Sequence, residues 1–140
     1  AVYHPHSESS YQHAWCSAHN GIEEYELSDK TRVDCLDDTH AIEFDFANKW
    51  AESIGQALHY GLMTGKKPKV VLILDSKYKQ AQMVYFERIK RICQLYNVDA
   101  EYVSDEILNI DNSVEKTRLQ IEDVIKLIIN YHKITLTKHS

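Results

Sequence analysis

The sequence predicts an α/β fold, a mixed sheet flanked by helices, and three stretches predict it. Residues 31–46, TRVDCLDDTHAIEFDF, alternate apolar and polar side chains on both sides of a four-residue break, the pattern of a hairpin. Residues 69–75, KVVLILD, hold five continuous apolar residues between charges, the pattern of a central strand buried on both faces. Between and after them, apolar residues recur at helical spacing in 50–60, 77–96 and 113–132. At 140 residues, with 44% hydrophobic and 26% charged side chains, the chain is sized for a single domain, 1–140.

Taken in order, a Ser-rich start, SESS, caps a first helix that carries Tyr11, Ala14, Trp15 and Ala18 on one side and ends at Asn20-Gly21. Residues 23–27, EEYEL, alternate and precede the turn Ser28-Asp29-Lys30. They supply the first strand of a three-stranded antiparallel meander completed by 31–36 and 41–46. Glu24 and Glu26 share a face of that first strand, and a solvated face accounts for them. The next helix places Trp50, Ile54, Ala57 and Leu58 on an apolar stripe. After the central strand, Asp75 reads as the start of a turn or as an acid behind a site. The helix at 77–96 presents Ala81, Val84, Tyr85, Ile89, Ile92, Leu95 and Tyr96, and it is long enough to cross over to a parallel strand at 100–103. The final helix, 113–132, starts at Ser113 with Lys116 where a capping box would have a Glu. Ile121, Val124, Ile125, Ile128 and Tyr131 form its stripe, while Leu127 and Ile129 lie off it, a surplus that points to a broad buried face or a homodimer through this helix. Residues 135–140 read as a tail.

The chemistry concentrates in the hairpin. With Asp37, Asp38, Thr39 and His40 as the turn, Leu36 faces Ala41, Asp34 faces Glu43 and Arg32 faces Asp45, all three acids on one side. Facing carboxylates repel, so the Asp34 and Glu43 pair is a cost unless a cation lies between them. A hard divalent metal suits such oxygens. On the following helix Lys49, Gln56 and Tyr60 lie within a stripe about 40° wide, with Ser53 beside them, so a polar edge leans over the acids.

These residues resemble the PD-(D/E)XK (restriction-endonuclease-like) nuclease superfamily. The match is an Asp, then nine residues on a Glu-x-Asp, then a helix with the Gln-x-x-x-Tyr of the RecB-type branch. The resemblance implies an αβββαβ core over about residues 7–104 with the C-terminal helix as an addition. It also implies Mg²⁺ or Mn²⁺ as cofactor and hydrolysis of phosphodiester bonds in nucleic acid, DNA by preference. Asp34 and Glu43 would be metal ligands, Asp45 a third ligand or catalytic group, and Gln56 and Tyr60 would lie beside the scissile phosphate. Where the family has its lysine this chain has Asp45, and Lys49 is the nearby replacement. The family's first helix often brings an acid to the metal, and Glu8 is the acid on this one. The alternative is a catalytically inactive binding or structural protein that keeps the frame. Arg32 and Asp45 would then form a cross-strand ion pair, Lys49 would cover Asp45, and Gln56 and Tyr60 would satisfy buried polar groups.

Bulk properties limit the rest. A net charge of -5 argues against a broad basic surface as the source of nucleic-acid affinity. Lys66, Lys67, Lys69, Lys77 and Lys79 could meet phosphates locally, or rim a strand. There is no apolar run long enough to span a membrane, and the four glycines form no nucleotide-binding fingerprint. The chain opens on Ala1 rather than Met, which allows a processed exported protein, the alternative being a cytoplasmic one. In an exported protein Cys16 and Cys35 are the pair to join, because Cys35 points away from Asp34 towards the first helix; otherwise Cys16, Cys35 and Cys93 are buried thiols. His4, His6, His13 and His19 share no face and read as surface groups.

Overall fold

The structure, a computed structural model, describes residues 4–138, without the side chains at 109–116 and 138. The elements run α1 (Glu8–Ala18), β1 (Ile22–Glu26), β2 (Arg32–Leu36), β3 (His40–Phe46), α2 (Trp50–Thr64), β4 (Lys67–Ile73), α3 (Lys79–Leu95), β5 (Asp99–Val103) and α4 (Glu106–Lys138). One five-stranded mixed sheet has the order β1-β2-β3-β4-β5, antiparallel from β1 to β3 and parallel from β3 to β5. The chain divides into two compact units, Ala1–Leu108 and Asn109–Ser140.

β4 is the spine because its side chains are apolar on both faces. Val70, Leu72 and Leu74 pack with Ala47, Ala57, Phe86, Ile89 and Cys93 under α2 and α3. Val71 and Ile73 pack with Tyr11, Trp15, Ile42 and Phe44 under α1. Each helix therefore closes one face of a sheet that could not stay in water on either. Ser7 caps α1, its hydroxyl accepting from the Ser10 N–H at 3.2 Å. Cys16 and Cys35 form a disulfide with a Cα–Cα distance of 5.9 Å, tying α1 to β2. Gly21 is required there, since a Cβ at this position would collide with both sulfurs.

Several expectations are corrected. α3 buries Phe86, Ile89 and Cys93, while Val84, Leu95 and Tyr96 of the expected stripe are exposed. Two adjacent apolar arcs compete on this helix, and the one carrying the large Phe86 ring faces the sheet. Leu58 of α2 is exposed, so only Trp50, Ile54 and Ala57 pack. The last helix starts at Glu106, not Ser113, and continues through the expected tail to Lys138; residues 139–140 lie outside the described residues. Its early start follows from Ile107 and Leu108, which pack against the Tyr11 and Trp15 cluster. The caps expected at Ser113 and Lys116 fall on side chains outside the described residues, and Ala1 is outside them as well.

Candidate active site

The acids gather where the sheet opens. β2 and β3 are paired at Leu36↔Ala41 and Cys35↔Ile42, and the ladder stops there. At the next position the Asp34 carboxylate replaces a strand partner, its Oδ2 accepting the Phe44 N–H at 2.7 Å. The expected Arg32 and Asp45 pairing is accordingly absent, and among the described residues no ion pair joins them. Arg32 is exposed, whereas Asp45 is buried.

Glu43 and Asp45 project from β3 opposite Ile42 and Phe44, whose side chains are in the core. They are only 3% and 6% exposed. Burial pushes the Glu43 carboxyl far up, to about 11, with Asp34 and Asp45 adding to it; Asp34 and Asp45 are themselves raised by burial to about 6. As the neutral acid, Glu43 donates to both neighbours and holds them below where burial alone would set them. Ionised, all three are acceptors only, and Glu43 Oε2 and Asp45 Oδ2 are buried without a hydrogen-bond donor. Each unpartnered buried group costs about 1–3 kcal/mol, more when charged. The cluster therefore demands protons or a cation.

The donor set fits a hard cation, because every inward-facing atom is a carboxylate oxygen. Among the described residues no group of three or more His, Cys, Asp or Glu forms a ready cage. Mg²⁺ does not need one: it is held by one or two carboxylates and otherwise by water and phosphate oxygens.

Around this centre the structure brings in groups from three elements. Glu8, at the start of α1, has its carboxyl raised to about 7 by burial, with Asp45 and Asp34 adding to the effect. Gln12, one turn on, is buried, and its Nε2 donates to Glu24 Oε1 at 3.0 Å and to the Asp34 carbonyl at 2.9 Å. Glu24 stands opposite Asp34, between the pairs Glu23↔Cys35 and Tyr25↔Val33, with φ +52°. A non-glycine residue held there carries strain of about 1–3 kcal/mol. Its charge acts on Asp34, Glu8 and Tyr60, so Glu24 neighbours the site and is not merely part of a solvated face. Neither Gln12 nor Glu24 is a candidate on sequence grounds. The one signal for Gln12 is its position four residues after Glu8, on the same side of α1.

From α2, Tyr60 is buried and its hydroxyl donates to Gln56 Oε1 at 3.3 Å, Gln56 itself being exposed. Burial, then the charges of Glu43 and Asp34, push the Tyr60 hydroxyl above its ordinary range. Ser53 is occupied within its own helix, its Oγ donating to the Trp50 carbonyl at 2.7 Å. Lys49 ends a 3₁₀ turn, Ala47–Lys49, between β3 and α2. It is exposed, and its charge lowers Asp45 and Glu8 against the burial that raises them.

Two other groups do not join. Asp75 starts a turn, its Oδ1 accepting the Lys77 N–H at 3.0 Å. The lysine patch is largely neutralised: Lys67 pairs with Asp99 and Lys69 with Glu101, both at 2.9 Å, Lys79 lies 3.9 Å from Glu106, and Lys66 donates to the Asp37 carbonyl.

Compared with family models, with curated proteins and with solved structures, the chain matches none. The functional reading rests on the site itself.

Proposed function

We propose that the chain is a metal-dependent nuclease of the PD-(D/E)XK type, with an αβββαβ core and an added C-terminal helix. The observation that carries the reading is the pair of buried oxygens, Glu43 Oε2 and Asp45 Oδ2, left without donors beside Asp34. Asp34 and Glu43 would hold Mg²⁺ or Mn²⁺, with Asp45 as a third oxygen donor. When bound, such an ion lowers the pKa of a coordinated water and offsets negative charge on a phosphate. Asp34 is held in place by the Phe44 N–H, so its free oxygen is pre-aimed. Lys49 lies at the exposed lip and draws on Asp45 across the β3–α2 connection, where the family's lysine function has its one cationic substitute. Its ammonium is suited to orienting the attacking water or neutralising charge that develops on phosphate. Tyr60 and Gln56, joined to each other, offer a hydroxyl and an amide to the same phosphate.

The alternative, an inactive relative that binds rather than cuts, draws on Asp45 in place of lysine. It loses one support, the Arg32 and Asp45 ion pair. Nicking of supercoiled DNA in Mg²⁺ or Mn²⁺ separates the two. The nuclease reading expects cleavage that Asp34→Asn abolishes and Lys49→Ala reduces roughly a hundredfold. No cleavage by folded wild-type protein of DNA or RNA, single- or double-stranded, would leave the binding reading standing.

A further inference from the structure

The second unit, Asn109–Ser140, carries an apolar surface that its own residues do not cover. Ile121, Val124, Ile125, Leu127, Ile128 and Tyr131 of α4 are each at least 50% exposed. Isolated apolar side chains on a surface are ordinary, but a contiguous face of this size marks an interaction site.

The pattern on the helix says what it fits. Ile121, Val124, Ile128 and Tyr131 follow one another at steps of three, four and three residues, the a/d seam of a heptad with a period of 3.5. Ile125, Leu127 and Ile134 flank the seam at the positions next to it. At 100° per residue, Glu122, Asp123, Lys126, Asn130 and Lys133 all fall within an arc about 100° wide on the opposite side. The remaining arc, about 220°, is mainly apolar and exceeds what one neighbouring helix can cover.

We infer that α4 is an assembly element and that other copies of the same helix cover its apolar face. The seam is built for helices of its own kind, with β-branched residues in three of its four positions, the residues that pack as knobs into holes. The polar arc also argues against a lipid surface. It is balanced, two acids against two lysines, whereas a helix lying on anionic lipid concentrates Lys and Arg there. No described helix is long and apolar enough to cross a membrane. Along the arc the acids Glu122 and Asp123 precede the bases Lys126 and Lys133. An antiparallel neighbour therefore brings the acidic stretch of one copy alongside the basic stretch of the other, in agreement with both helix dipoles. This inference stands whether or not the hairpin site cuts nucleic acid.

Sedimentation velocity and light scattering on the full chain test it. Wild-type protein at micromolar concentration is expected at a multiple of 16.3 kDa, and Ile128→Asp at the single-chain mass. Lys126→Gln, on the polar arc, should keep the assembled mass. Because Ile128→Asp could also unravel the helix, Ile128→Asn is measured in parallel with far-ultraviolet circular dichroism: a helical protein of reduced or altered copy number supports the seam. A monomeric wild type overturns the inference. So does an assembly whose mass neither substitution at Ile128 changes, and so does a monomer that floats with phosphatidylcholine or anionic vesicles, which would assign the face to lipid.

Discussion

β3 has two different sides. Towards β4 it is closed, in continuous register from His40↔Lys67 to Phe46↔Ile73. Towards β2 it opens after Cys35↔Ile42, and a carboxylate from Asp34 takes the next N–H. The closed side buries apolar residues on both faces of β4; the open side buries acids without donors. A single strand can thus be a structural spine on one edge and a charged site on the other, because the closed ladder makes the stability that the acids cost.

That contrast is open to test. The closed side should be the most sensitive to truncation: Leu72→Ala, at a fully buried position, is expected to cost about 2–5 kcal/mol in denaturant unfolding. The open side should depend instead on its staple. Replacing both Cys16 and Cys35 by Ala releases a cross-link between residues 19 apart and should cost about 3 kcal/mol, measured the same way against oxidised wild type. Glu43→Gln should reverse the pattern, lowering metal-dependent nicking by roughly a hundredfold, about 2.7 kcal/mol, with little or no loss of stability.

Stability against pH sharpens it further. Asp34, Glu43, Asp45 and Glu8 all have carboxyls raised above their unfolded values, so the native state binds more protons and stability falls as pH rises. Without metal, the loss should begin near the unfolded carboxylate range of about 4 and run through about 6 for Asp34 and Asp45 and about 7 for Glu8. Melting at pH 5 should exceed melting at pH 8, and Asp45→Asn should flatten that slope by about 1–3 kcal/mol. The smallest effect belongs to the far end of the sheet. Lys67→Ala removes a half-exposed ion pair with Asp99 and should change stability by less than about 1 kcal/mol.

Period-two alternation made the three hairpin acids legible in the sequence, since it fixes the face of each residue once the turn at Asp37 is recognised. The doubly buried β4 was legible for a related reason: an apolar run with no polar alternation has no wet face. The open ladder was not, because it depends on a side chain outcompeting a backbone partner at Asp34. Glu24 was missed because nothing in EEYEL signals a positive φ, and Gln12 because its two bonds exist only once α1 docks on β2. The start of α4 was hidden by Asp105, Asn109, Asp111 and Asn112, residues common in turns; packing of Ile107 and Leu108 overrides that local preference.

The central claim is that the acids of the open side are built to hold a cation, and a thermal melt at pH 8 with and without Mn²⁺ addresses it most directly. Wild type should gain several degrees with Mn²⁺ as the buried oxygens find their partner, and Glu43→Gln, more stable than wild type without metal, should gain nothing. Equal responses from the two proteins would contradict the account.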